Sequence, residues 1–278
     1  MTIARLMQQA AAGSAGAGPE PSGWTDPDLA NASYDSVSFS VAAQETAPQG
    51  VFFKPDGTKF YITGSSGDDV NEYDLSTAWD ASTASYLQNF SVSAQETAPQ
   101  GLHFSDDGAK LYILGFGGDN VNEYNLSTAW DVSSASYLQN FSVAAQEGTP
   151  VDLRFKPDGT KMYVLGFGSS VYEYSLSIAW DVSTASYVAA FAVSSQDSNC
   201  RGLFFSPNGD VFFMCGTNSD DVFQYSLTTP WDISTASYDS VNFALATTFP
   251  VSLFFKHDGS KMYVSDQAGR AIYQYSTA

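Results

Sequence analysis

The chain has 278 residues, 44% hydrophobic and 15% aromatic, and sets 30 acidic side chains against 11 basic ones for a formal net charge of -19. That length and apolar content supply a sizeable core and exclude disorder, while the charge excludes nucleic acid and anionic membrane as partners, since both repel it at long range. No run approaches the ~18 apolar residues of a membrane span.

Residues 1–23 are unlike the rest. MTIARLMQQAAAG places Ile3, Leu6, Met7, Ala10 and Ala11 on one helical stripe, with Gly13 where a helix would stop, and GSAGAGPEPSG reads as a flexible linker. A secretory signal with Arg5 as its basic residue is the competing reading, and Gln8 and Gln9 interrupt the apolar core it needs. So short a helix is marginal alone in water. The segment therefore reads as an anchor whose Ile3, Arg5, Leu6, Met7 and Ala10 dock into a groove on a partner.

From Trp24 onward the chain repeats. Turn dipeptides recur at Asp56-Gly57, Asp107-Gly108, Asp158-Gly159, Asn208-Gly209 and Asp258-Gly259, at spacings of 51, 51, 50 and 50 residues. Five copies of that period, each the size of a four-stranded sheet, point to a β-propeller. In the first copy GVFFKPDGTKFYITG predicts a hairpin, VNEYDLS a third strand and SYLQNFSV a fourth, with no helical period anywhere in the repeats. A phrase whose first copy is STAWDASTASY at 76–86 joins the third strand to the fourth at Trp79-Asp80, Trp130-Asp131, Trp180-Asp181 and Trp231-Asp232, and reads as a structural stitch.

The last copy stops after its third strand, at AIYQYSTA, and WTDPDLANASYDSVSFSV at 24–41 supplies the missing connector and fourth strand. The expected fold is thus all-β: a five-bladed propeller over 24–278, closed by one N-terminal and three C-terminal strands, which leaves no open sheet edge.

With the innermost strand first, the Asp-Gly hairpins and Trp-Asp connectors share one face, and the Gln-Glu segments and Gly-Asp-Asp connectors share the other. That second face offers Glu45, Glu96, Glu147 and Asp197, together with Asp68, Asp69, Asp119, Asp220 and Asp221. Repeated round a ring they form an acidic crown that holds Ca²⁺ or meets hydroxyl-rich ligands, or else they cap turns and solvate a rim. No connector has the alternating oxygen ligands of a calcium loop.

Candidate catalytic side chains are few. His103 and Arg154 interrupt an axial series otherwise made of Phe52, Phe204 and Phe254, and His257 takes a turn position that is Pro55, Pro157 and Pro207 elsewhere. A hydrogen-bonded core histidine and a surface turn variant are the plain readings. Cys200 and Cys215, the two cysteines, fall on adjacent antiparallel strands as a bridge or as two buried thiols. No nucleophile elbow, zinc-type histidine pair or phosphate-cradling loop occurs.

MTIARLMQQAAAG resembles the short N-terminal sequence of many tailed-bacteriophage virion structural proteins, and FKPDGTKMYVLG with VYEYSLSIAWDVSTASY is similar to propeller repeats of phage and marine bacterial surface proteins. The resemblance implies a non-enzymatic virion protein without a cofactor. Its N-terminal peptide docks to a capsid, tail or fibre protein, and its propeller is displayed on the particle surface, touching host glycan or decorating the head. The alternatives are a secreted lectin-like glycan binder and a metal-dependent propeller hydrolase using the acidic crown with His103.

Overall fold

A strand buried on both faces needs a continuous apolar run, whereas a strand with one wet face needs alternation, and each repeat supplies both kinds. In the computed structural model, which describes residues 23–167 and 170–277, twenty strands form five four-stranded antiparallel sheets. The N-terminal strand is β1 (Ser33–Ser40). The first complete blade is β2 (Pro48–Phe53), β3 (Lys59–Gly64), β4 (Asp69–Leu75) and β5 (Ala84–Ser91). The second is β6 (Pro99–Phe104), β7 (Lys110–Gly115), β8 (Asn120–Leu126) and β9 (Ala135–Ser142). The third is β10 (Pro150–Phe155), β11 (Lys161–Gly166), β12 (Ser170–Leu176) and β13 (Ala185–Ala192). The fourth is β14 (Cys200–Phe205), β15 (Val211–Gly216), β16 (Asp221–Leu227) and β17 (Ala236–Ala244). The fifth begins with β18 (Pro250–Phe255), β19 (Lys261–Asp266) and β20 (Ala271–Ser276).

β1 completes that fifth blade, pairing antiparallel with β20 from Ser33 opposite Ser276 to Ser40 opposite Ala271. The two ends of the chain therefore close the ring, as the split repeat predicts. Innermost β2, β6, β10 and β18 are buried at every position, and outermost β5 alternates. The anchor residues Ile3, Arg5, Leu6, Met7 and Ala10 lie outside the described residues.

The Trp-Asp phrase is a stitch both within its blade, where the Trp79 amide donates to the Gly57 carbonyl of the hairpin, and between blades. The Tyr61 hydroxyl donates to the carbonyl of Trp130 in the next blade at 2.7 Å. Tyr112 donates likewise to Trp180, Tyr163 to Trp231 and Tyr263 to Trp79. Beside each hydroxyl runs a second bond. Buried Glu72 accepts from the Val132 amide at 3.1 Å and pairs with Lys59 at 2.6 Å. Glu123 repeats this with Val182 and Lys110, and Glu173 with Ile233 and Lys161.

The seam between the fourth and fifth blades lacks this clasp. There Lys, Tyr and Glu become Val211, Phe213 and Gln224, and Gln224 turns to Asp239 of its own blade at 2.9 Å. The neighbouring connector is the N-terminal one, whose Trp24 stacks on Phe204 with centroids 6.3 Å apart. Val211 and Phe213 drop the ammonium and the hydroxyl, and Gln224 drops the charge and keeps a polar group that finds its partner inside the blade, so none of the three leaves an unsatisfied buried group at this seam.

Candidate functional site

The acids of the Gln-Glu face bond to backbone. Glu45 accepts from the amides of Ala47 at 2.6 Å and Gly67 at 3.0 Å, and Glu96 from those of Ala98 and Gly117, both at 2.8 Å. Glu147 accepts from Thr149, and Asp197 from Asn199, Asn218 and Ser219. Glu45, Glu96 and Asp197 thus tie their own turns to the connectors beside them. A β-carbon on Gly64 would overlap the Glu45 carboxyl, so that position stays glycine. The fifth blade reverses the arrangement: Thr247 stands for the Glu, Asp266 stands for the Gly, and Asp266 accepts from the Gly269 amide at 3.0 Å.

The remaining crown residues are placed separately. Asp69 accepts from Asn71 and Asn89, both at 2.6 Å, and Asp221 from Asn242 at 2.7 Å. Asp68, Asp119 and Asp220 hold left-handed backbone in the connectors. Among the described residues no three His, Cys, Asp or Glu side chains gather as a metal site. A cation that sequence reasoning missed also sits on this face: Arg201, its guanidinium carbon 4.6 Å from the Phe167 ring centroid and 5.6 Å from that of Phe249.

On the axis the channel is plugged. Asp152, fully buried, occupies a position that is Gly50, Gly101 and Gly202 in three other blades, and its carboxylate accepts from the amides of Leu153 and Leu203, each at 2.8 Å. Arg154, 3% exposed, meets Asp152 at 3.1 Å and donates to the carbonyls of Leu102, Leu153 and Leu253. One ion pair therefore ties four inner strands, β6, β10, β14 and β18. Burial pushes the Asp152 carboxyl up to about 6, with Arg154 and the two amides opposing it. The sequence reading passed over Asp152; the signal that marks it is an acid where Gly50, Gly101 and Gly202 stand, two residues before Arg154.

Beyond the plug, on the hairpin face, the axis opens as an aromatic bowl of about 90 Å³. Its floor is the interrupted phenylalanine series. Phe52 meets Phe254 and His103 edge-on, with centroids at 5.2 and 5.1 Å, and Phe204 meets Phe254 at 5.3 Å. Arg154 fills the remaining place, Trp130 and Trp231 form part of the wall, and the rim is Pro55, Asp106, Pro157, Pro207 and His257. The structure thus brings His103, Arg154 and His257 together and leaves the crown acids on the opposite face.

The bowl sets the protonation of its polar members. Burial, with the Arg154 charge beside it, holds the His103 imidazole well below its ordinary pKa, so the ring is neutral. Asp106 is open to solvent at its outer edge yet crowded by the converging hairpins. That crowding, with Asp107 and Asp158, pushes its carboxyl up to about 6. Cys200 and Cys215 are separate buried thiols on β14 and β15, and burial drives the Cys215 thiol far above its usual range.

The chain matches no protein-family profile and no curated protein. Solved structures resemble its fold. A candidate 6-phosphogluconolactonase from Bacteroides fragilis superposes with a TM-score of 0.54 at 15% identity, over 82% of this chain and 80% of that one. A second, from Bacteroides uniformis, gives 0.51 at 15% identity, over 80% of this chain and 64% of that one, so the match takes in less than two thirds of the second protein. Hydrazine synthase from Kuenenia stuttgartiensis gives 0.50 at 12% identity, over 88% and 99%. At such identities the likeness is one of fold, and the chain is a β-propeller.

Proposed function

We propose that this propeller is a non-enzymatic module of a tailed-phage particle, docked through its N-terminal peptide and displayed on the particle surface. The observation that carries the assembly half of this reading is an uneven periphery. Leu87 and Leu138 are each 46% exposed and Val188 is 51% exposed, each beside an exposed tyrosine on the outermost strands of the first three blades. On the other two blades the corresponding residues are Asp239 and Asp35, which bond to Gln224 and Gln274. Apolar side chains recurring at the surface on one side only mark a face that meets other protein. The non-enzymatic half is supported by the clasps and turn ties, which engage Glu45, Glu72, Glu96, Glu123, Glu173 and Asp197 within the fold.

Deleting residues 1–20 leaves a folded propeller that no longer co-sediments with particles, and Leu87→Asp with Leu138→Asp weakens the association of the full chain. Particle association of the truncated protein at the full-length level would defeat the docking role.

A further inference from the structure

The bowl on the hairpin face shares no residue with the apolar outer face of Leu87, Leu138 and Val188. We infer that it binds a small uncharged aromatic ring bearing one oxygen acceptor, of the size of benzamide. Three properties select this class: size, wall chemistry and charge.

A volume of about 90 Å³ lies well below the ~300 Å³ at which drug-sized and cofactor pockets begin, and suits one six-membered ring. The floor presents Phe52, Phe204 and Phe254, whose faces and edges favour another aromatic ring over an aliphatic one.

The polar contact comes from His103. The side chain is nine-tenths buried and neither ring nitrogen has a hydrogen-bond partner among the described residues, yet only Nδ1 is sealed from solvent, so Nε2 looks onto the bowl. A buried N–H without a partner is rarer than a buried acceptor without one. The neutral ring therefore keeps its proton on Nε2, where an arriving oxygen can accept it.

Charge decides the rest. Arg154, whose countercharge Asp152 lies in the plug and outside the lining, repels a cation seated on the floor, and Asp106 at the rim repels an anion at the mouth.

Saturation-transfer NMR on the full chain, titrated with benzamide, benzoate and benzylammonium, tests the site. Benzamide should bind saturably at about millimolar affinity, as expected for so small a ligand, with both charged rings roughly tenfold weaker. His103→Phe introduces the residue three other blades carry, so the floor stays packed; loss of the donor should weaken benzamide about five- to tenfold. Pro157→Trp, at the exposed rim, should close the mouth and abolish the signal. No saturable benzamide binding, binding indifferent to both substitutions, or benzoate or benzylammonium bound as tightly would each overturn the assignment. The 1–20 deletion should bind benzamide like the full chain, so failure of particle docking and failure of this site are read separately.

Discussion

The Trp79 amide donates to the Gly57 carbonyl at 3.0 Å, and its indole lies where a β-carbon on Gly57 would have to stand. Gly57 also holds φ +72°, a region that side chains rarely adopt. Gly57→Ala therefore meets two costs at once and should destabilise by about 2–4 kcal/mol in urea unfolding. Gly148 is the control, with no atom near its absent β-carbon. Gly148→Ala should be neutral or stabilising by up to ~1 kcal/mol, because it narrows the unfolded ensemble alone. Equal losses at both sites would mean that the indole contact does not decide the first.

The seams give a second prediction. Lys110 pairs with Glu123, which is fully buried and also receives the Val182 amide at 3.1 Å and Gln139 at 2.9 Å. Lys110→Val strands that carboxylate without its cation and should cost about 3 kcal/mol. Adding Glu123→Gln reproduces the natural pairing of Val211 with Gln224 and should recover at least ~1 kcal/mol, measured as a double-mutant cycle. A double variant no more stable than the single one would show that the fourth blade tolerates its residues for some other reason.

What the sequence could reveal follows from where information repeats. Turn glycines, the Trp-Asp phrase and the split final repeat are periodic, so strand order, blade number and ring closure were legible from them. The partners of Glu45, Glu72 and Trp79 lie across loops or seams, in contacts periodicity cannot locate. A rim carboxylate open to ligand and one bonded to a buried amide use the same residue type in the same loop, so the Gln-Glu acids could be read either way. The bowl was half legible: His103 and Arg154 stood out as departures from Phe52, Phe204 and Phe254. The contributions of Asp152 and Asp106 emerged only once the inner strands and hairpin tips were brought round one axis.

The axial plug is itself a departure from fivefold regularity, and it is predicted to be dispensable only as a unit. Arg154→Phe alone leaves Asp152 buried beside two amides with no countercharge and should cost about 3–5 kcal/mol. Asp152→Gly together with Arg154→Phe restores the residues of Gly50 and Phe52, and should lie within ~1.5 kcal/mol of the parent or above it. Thermal unfolding of the three proteins settles the order. A double variant as damaged as the single would make the ion pair a requirement for ring closure.

Stability should peak in mild acid. In three homologous turns Asp56, Asp158 and Asp258 have carboxyl pKa values held below normal, that of Asp258 at about 2; burial opposes this, and Lys54, Lys156 and Lys256 with the neighbouring hydroxyls overcome it. Groups depressed on folding contribute stability that is complete above pH ~4 and lost as pH falls toward ~2. Asp106 and Asp152 behave oppositely. Burial raises both to about 6, so the folded chain holds protons that the unfolded chain has released, and stability declines as pH rises from ~4 through ~6. The thermal midpoint at constant ionic strength should therefore be higher near pH ~5 than near pH ~3 or pH ~7. Asp106→Pro, the residue of three other blades at that position, should flatten the decline above pH ~5 and leave the acid limb in place. A midpoint that keeps rising to pH ~7 in the parent would show that neither raised carboxyl governs the alkaline side.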